Sequence, residues 1–501
     1  MKKLLISFWV ICLTLPAFNQ TIKIKSTIYN EKYRPQFHFS PATQWTNDPN
    51  GLVYFEGEYH LFYQYYPDSV IWGPMHWGHS ISKDLIHWEH LPIALYPDSL
   101  GWIFSGSAVI DYNNTSGFGS YENPPMVAIF SYHNEVIRKE GRKDFQTQGI
   151  AYSLDKGRTW IKYNGNPVLG NPGQVNFRDP KVSWHKPSHR WVMVLAVGDH
   201  VSLYSSHDLK SWKFESDFGK NVGAHNGTWE CPDLFPLTDM EGNERWVLLA
   251  SIIPGGPNGG TATQYFVGDF DGSVYTSQDS LIRWLDFGRD NYAGVTYNNI
   301  PEEDGRRIFI GWMSNWDYAN QVPTTVWRNA MTLPRTLGLV KRGNSNYLKS
   351  SPIKELKTIE NNGQSIMLND QVKLIDSLCH IHLQFEDVEK GFMLKISNKV
   401  DEKVLIQFID GEFKFDRTNS GLSAFNKGFA GIHSAPFQGD PRNIVVDIYV
   451  DLSSVEVFIN NGEVVFTELV FPSKPYQYFE VTQGKNQIST AKIYQMKTIW
   501  E

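Results

Sequence analysis

Read along its length, the chain alternates short apolar runs with polar turns, and helical periodicity is scarce throughout. Five segments share one plan: a short strand, a polar turn, then a longer apolar strand. They open as "DPNGLVYFEGEYHLFYQYY" at Asp48, "FSGSAVIDY" at Phe104, "RDPKVSWHKPSHRWVMVLAV" at Arg178, "ECPDLFPLTDMEGNERWVLLAS" at Glu230 and "YAGVTYNNIPEEDGRRIFIGWMS" at Tyr292. A second motif recurs between them: "SKDLIHW" ends at Trp88, "SLDKGRTW" at Trp160, "SSHDLKSW" at Trp212 and a worn copy, "SQDSLIRW", at Trp284. Repeats of this size, rich in short strands, predict blades of four strands each. The expected fold is all-β, with a five-bladed β-propeller over residues 30–342. Around residues 341–354, "RGNSNYLKSSPIKE" reads as a polar linker. Over 350–501 the strands alternate, as in "IVVDIYVDLSSVEVFINNGEVVFTELVF" with Asn461-Gly462 as a hairpin turn, which predicts a β-sandwich. No acid constellation stands out there, so its expected role is packing against the propeller or holding glycan.

Three of the five units open with an acid beside proline: Asp48 before Pro49, Asp179 before Pro180, and Glu230 before Cys231 and Pro232. Taken alone, "WTNDPNGL" (Trp45–Leu52) is ordinary turn chemistry. Its recurrence changes the picture. Innermost strands of a propeller surround one axis, so acids at matching positions are expected to converge at one mouth of the channel. Clustered acids without metal-ligand spacing suit glycoside hydrolysis, in which one carboxylate attacks or activates water and another protonates the leaving oxygen. Repulsion and partial desolvation would raise one pKa, as a proton donor needs. A calcium site is the structural alternative, but a dense Asp/Asn loop is lacking. The 15 histidines are scattered without zinc-like spacing, so no metal and no cofactor is expected.

Charge narrows the partners. A net charge of -7 without a basic stripe argues against nucleic acid and anionic membranes. The 17 Trp, 24 Tyr and 30 Phe supply flat faces that sugar clefts use, though β-rich cores use them too. Lys2 and Lys3 ahead of "LLISFWVICLTLPAF" read as a signal peptide over residues 1–20, too short to span a bilayer comfortably. Cys12 follows Trp9, Val10 and Ile11, whereas lipid attachment calls for a small preceding residue. Export without a membrane anchor is expected, to a periplasm or beyond the cell. Cys231 and Cys379 then remain, too few for a disulfide framework. Oligomeric state is not encoded legibly.

Together, "WTNDPNG", "FSGS" at Phe104–Ser107, "RDP" at Arg178–Pro180 and "EC" at Glu230–Cys231 resemble glycoside hydrolase family 32, the β-fructofuranosidases. "SVEVFINNG" around Glu456 is similar to that family's C-terminal sandwich. The resemblance runs in order over nearly the whole mature chain. It implies a retaining hydrolase of fructosyl linkages in levan, inulin or sucrose. Asp48 would be the nucleophile, Glu230 the acid and then base, and Asp179 the holder of fructose hydroxyls. Asn47, Gln64, Trp72, Phe104, Ser105 and Arg178 would contact the terminal fructose, and Trp312 would wall the pocket. Cys231 would neighbour the acid, or equally be a buried structural thiol. Exo action is expected if Trp72, Trp77, Trp102, Phe104, Trp312 and Trp316 ring the pocket, with buried packing between blades as their alternative role.

Rival readings are an endo-levanase or endo-inulinase, a five-bladed arabinan or xylan hydrolase, a sialidase and a non-catalytic glycan-binding propeller. "SLDKGRTW" matches the sialidase Asp-box, but Arg178 has no evident second and third arginine partner. The arabinan and xylan enzymes lack "NDPNG" and "FSGS". A lectin has no need of a paired nucleophile and proton donor. Preference for β-2,6 or β-2,1 linkages stays open, as does exo against endo cutting.

Overall fold

The computed structural model describes residues 29–500 except 362, 369, 370, 375, 376 and 438; the expected signal peptide and Cys12 lie outside the described residues. Five sheets, antiparallel except for the short strand Trp327–Arg328 that pairs parallel with Gln44–Phe55, are arranged around one axis. Their innermost strands are Gln44–Phe55, Trp102–Ile110, Phe177–His185, Thr228–Thr238 and Tyr292–Thr296. Each packs beside the next, and the fifth returns to the first. This is a five-bladed propeller. In blades two and three the second strands, Met126–His133 and Arg190–Val197, are almost wholly buried. Neighbouring blades cover both of their faces, which is why they read as continuous apolar runs.

The repeated tryptophan motif shapes blade edges. In each of the first three copies the aspartate side chain accepts from backbone N–H groups of the turn: Asp84 from Ile86 and His87, Asp155 from Thr159, and Asp208 from Lys210 and Ser211. The Trp160 and Trp212 indoles close their turns on the Gly157 and Leu209 carbonyls. These acids are structural.

The polar stretch expected as a linker is instead a strand. Ser345–Pro352 pairs residue for residue with Arg335–Arg342 as the outer edge of blade five. Beyond it, two six-stranded sheets form the β-sandwich around a core that includes Leu383, Phe385, Phe413 and Val457.

Buried ion pairs fasten the two domains. Arg335 of blade five donates to Glu456 of the sandwich at 2.6 Å and to Asp286 at 2.9 Å. Glu456 also accepts from His38 (2.9 Å) and from the Leu333 amide (2.8 Å). Arg417 of the sandwich likewise meets Asp290 of the propeller at 2.5 Å. Glu456 is therefore a domain fastener, and losing one partner of such a buried group costs about 3–5 kcal/mol. Packing against the propeller is one of the two roles expected of the sandwich, and it uses acids that become neighbours only across the domain boundary.

Candidate active site

All five innermost strands carry a β-bulge at the same end. Asn47-Asp48 face Gln64 alone, Phe104-Ser105 face Ser131, Asp179-Pro180 face Leu195, Cys231-Pro232 face Ala250, and Ala293-Gly294 face Gly311. A bulge bends its strand and re-aims the extra side chain, here toward the axis. Proline suits a bulge because it has no N–H to give the ladder. Asp179, Cys231 and Ala293 take left-handed backbone, with φ of 63°, 44° and 52°. Aspartate tolerates that region; cysteine and alanine hold it at a cost of about 1–2 kcal/mol each. The three acids are not register-equivalent, as their spacing from proline implied. Asp48 is the second bulge residue, Asp179 the first, and Glu230 the last paired residue before its bulge.

The acids nonetheless meet. Asp48 accepts from Ser105 Oγ at 2.5 Å on one oxygen and from Asn47 Nδ2 at 3.0 Å on the other. The Cys231 thiol lies 3.5 Å from Asp48 Oδ2 and 3.7 Å from Asp179 Oδ2, so one sulfur spans two carboxylates from different blades. The Cys231 amide donates to Asp179 at 3.1 Å, and the Asp179 amide to Ser131 Oγ at 2.9 Å. Glu230 is gripped from two sides: Arg178 donates to Oε1, and Tyr292 Oη donates to Oε2 at 2.6 Å. Arg178 is steadied in turn by Asn176 at 2.5 Å.

Burial dominates the electrostatics. It pushes the Asp48 carboxyl up, against the hydrogen bonds from Ser105 and Asn47, and the nearby Glu230 charge adds to the rise. Asp179 is pushed up to about 7, first by burial and then by Glu230 and Asp48, with Arg178 opposing. Burial and the acids around it drive the Cys231 thiol well above the ordinary range, which excludes a thiolate nucleophile. Burial works against the Arg178 charge, but Glu230 and Asp179 more than offset it and keep the guanidinium protonated.

A stability prediction follows from Asp179. Its folded-state value near 7 lies above the ordinary 3.8, so this group favours the fold when protonated. Its contribution is present in full below the ordinary carboxylate range and lost as pH rises through about 7. Asp179→Asn keeps the shape and tolerates left-handed backbone. It should stabilise the fold more at pH 8 than at pH 4.5, by at most about 4 kcal/mol, read as a larger rise in melting temperature at the higher pH. An equal melting difference at both pH values would contradict the assigned charge state.

Aromatic side chains wall this mouth. Trp72 is 37% exposed and packs edge-on against Trp102 (5.7 Å between ring centroids), Phe104 (6.2 Å) and Trp316 (6.5 Å). Its backbone N–H donates to Asn320 at 2.9 Å, and Phe104 stacks on His133 at 4.3 Å. Trp312 and Trp77 do not line the opening. Both are fully buried, Trp312 between Trp45, Tyr292 and Trp316, and Trp77 with its indole on the Phe104 carbonyl. Gln64 is buried as well and donates to the Ile103 carbonyl at 3.1 Å, so in this structure it supports the blade-two bulge. Asn47, Ser105 and Arg178 stand beside the acids as expected.

Sequence reasoning passed over Tyr292, Asn176 and Ser131. Tyr292 had a signal: it opens the fifth unit, and its register in blade five matches that of Glu230 in blade four. Ser131 meets Asp179 across a blade boundary, which local pattern does not reveal, whereas Asn176 stands two residues before Arg178 in the same unit and was within reach of a local reading.

Comparison with known proteins agrees with this arrangement. The model of the glycosyl hydrolases family 32 N-terminal domain matches residues 38–352, and that of the family 32 C terminal matches 346–500. A levanase of Bacillus subtilis (strain 168) is 44% identical over 95% of this chain and 72% of its own length. An extracellular exo-inulinase of Aspergillus awamori is 38% identical over 94% of this chain and 96% of its own. The crystal structure of an exo-inulinase from that organism superposes with a TM-score of 0.86 at 36% identity, covering 94% of this chain and all of the other. Since the two domain models together match residues 38–352 and 346–500, the chain belongs to glycosyl hydrolase family 32.

Proposed function

We propose that this chain is a retaining β-fructosidase that removes terminal fructose from fructans such as levan or inulin, with sucrose as a further substrate. One observation carries the proposal: Asp48 and Asp179, from two blades, meet at a single buried thiol beside Glu230 of a third, at an aromatic-walled channel mouth. The levanase and exo-inulinase relatives support fructan as the substrate class.

In this reading Asp48 attacks the anomeric carbon of a fructosyl unit. Ser105 and Asn47 fix the plane of its carboxylate, so little motion precedes attack. Glu230 gives its proton to the leaving oxygen and later takes one from water. Arg178 and Tyr292 hold it at the correct angle. Asp179 accepts hydrogen bonds from fructose hydroxyls, and sugar binding supplies partners for a carboxylate that burial otherwise penalises. Cys231 keeps Asp48 and Asp179 apart without reacting. Residues 1–20 would direct export, in keeping with the extracellular exo-inulinase relative.

Exo action follows from the exposed face of Trp72, backed by three aromatic neighbours. Such a wall grips one terminal ring. Trp72→Ala should lower kcat/KM by about 10–100-fold, roughly 1.5–3 kcal/mol of lost apolar burial. The loss should be alike for short and long fructans. Early levan digests should contain free fructose while the polymer's size distribution barely falls. A rapid drop in chain length before fructose appears would make this an endo-acting enzyme.

A further inference from the structure

Far from the catalytic mouth, in the sandwich, four side chains converge on the sheet face that points away from the sandwich core. His380 and His382 alternate with the core residues Ile381 and Leu383 on the strand Cys379–Asp387. Asp447 lies directly opposite His382 on the neighbouring strand Arg442–Val450. One oxygen of Asp447 receives both rings, His380 Nε2 at 2.8 Å and His382 Nδ1 at 2.7 Å. Donor atoms of the three residues all lie within 4.8 Å of one another. On the far side of His380, Glu360 Oε1 sits 2.8 Å from Nδ1. The ring is clamped between Tyr449, at 4.3 Å and 6° from parallel, and Tyr494, at 5.1 Å and 16°.

The atom pairing poses a chemical problem. If Nδ1–H of His380 donates to Glu360, a neutral ring aims its Nε2 lone pair at a carboxylate oxygen 2.8 Å away. Two acceptors at that distance need a positive species between them, either a proton or a metal ion. His382 aims a second nitrogen at the same oxygen. Two carboxylates, Asp447 and Glu360, match the charge of a divalent cation. Glu360 also stands where an outer carboxylate orients a metal-bound imidazole.

We propose that His380, His382 and Asp447 form a binding site for a divalent transition metal of the zinc class, with Glu360 orienting His380. Two imidazoles and one carboxylate suit such ions, with metal–ligand distances of about 2.0–2.2 Å. Opening the nitrogen–oxygen separations by roughly half an ångström admits the ion at tetrahedral angles. The side-chain exposures of His382 (29%) and Asp447 (17%) leave a path for entry and a fourth position for water. Sequence spacing hides the site because Asp447 lies 65 residues beyond His382. Glu360 belongs to the segment after the helical turn Lys354–Thr358 that leads out of blade five, so a bound ion would brace the connection between domains. This proposal is independent of the hydrolytic mechanism.

The test uses the full chain stripped of metal by a chelator. Isothermal titration with zinc chloride should give one ion per chain, and excess zinc should raise the melting temperature by about 2–5 °C. His382→Ala and Asp447→Asn should each abolish both effects while fructose release from levan stays normal, which shows that the variants fold. Glu360→Gln should weaken zinc binding by about 10–100-fold. Absence of zinc binding to the native chain would overturn the site. So would zinc binding that survives both His382→Ala and Asp447→Asn.

Discussion

Asp48→Ala should abolish hydrolysis of levan, inulin and sucrose together, by about 10⁴–10⁶-fold in kcat, because removing a nucleophile removes the covalent path itself. The fold should survive. Alanine forfeits the hydrogen bonds from Ser105 and Asn47 and the contact with the Cys231 thiol, but it also relieves a carboxyl that burial and Glu230 penalise. Melting temperature should therefore hold or rise. Near-normal turnover of any fructan by this variant would show that Asp48 is a turn residue after all.

Glu230→Ala should fail differently. Its loss on polymer, about 10²–10⁴-fold, should shrink when the leaving group is activated, because such a group needs no proton to depart. The fructosyl-enzyme would then accumulate for want of a base. Azide, a nucleophile that needs no deprotonation, should restore turnover and give a fructosyl azide of retained configuration. Neighbouring groups reinforce the contrast: with Glu230 gone, Arg178 and Tyr292 lose their shared partner and leave an anion-sized space beside a guanidinium. An azide product of inverted configuration would indicate an inverting enzyme, with Asp48 activating water instead of attacking.

Much of this was legible in the sequence, for identifiable reasons. Blades announced themselves because each edge turn needs an aspartate to satisfy its backbone amides, as Asp84, Asp155 and Asp208 do. The acids stood out because proline tolerates the bulges that aim them. What failed was finer. Ser345–Pro352 looked like a linker because an edge strand buries only one face, through Asn346, Leu348 and Ser350, and two of those three are polar. Trp312 was expected in the pocket wall through the family resemblance, but it lies on Arg307–Met313, the second strand of blade five, and is fully buried. It packs behind Trp316 instead. Tyr292, Ser131 and the His380 cluster depend on partners in other strands or blades, which periodicity along one chain does not encode.

The central claim is that Asp48 carries the fructosyl group while Glu230 manages the protons. Glu230→Ala, incubated with an activated fructoside without azide, quenched in acid and digested, tests it by peptide mass. A single hexosyl adduct should appear on the peptide bearing Asp48, and azide added before the quench should remove it. An adduct on the Asp179 peptide, or none on any peptide while the activated leaving group is still released, would contradict the assignment.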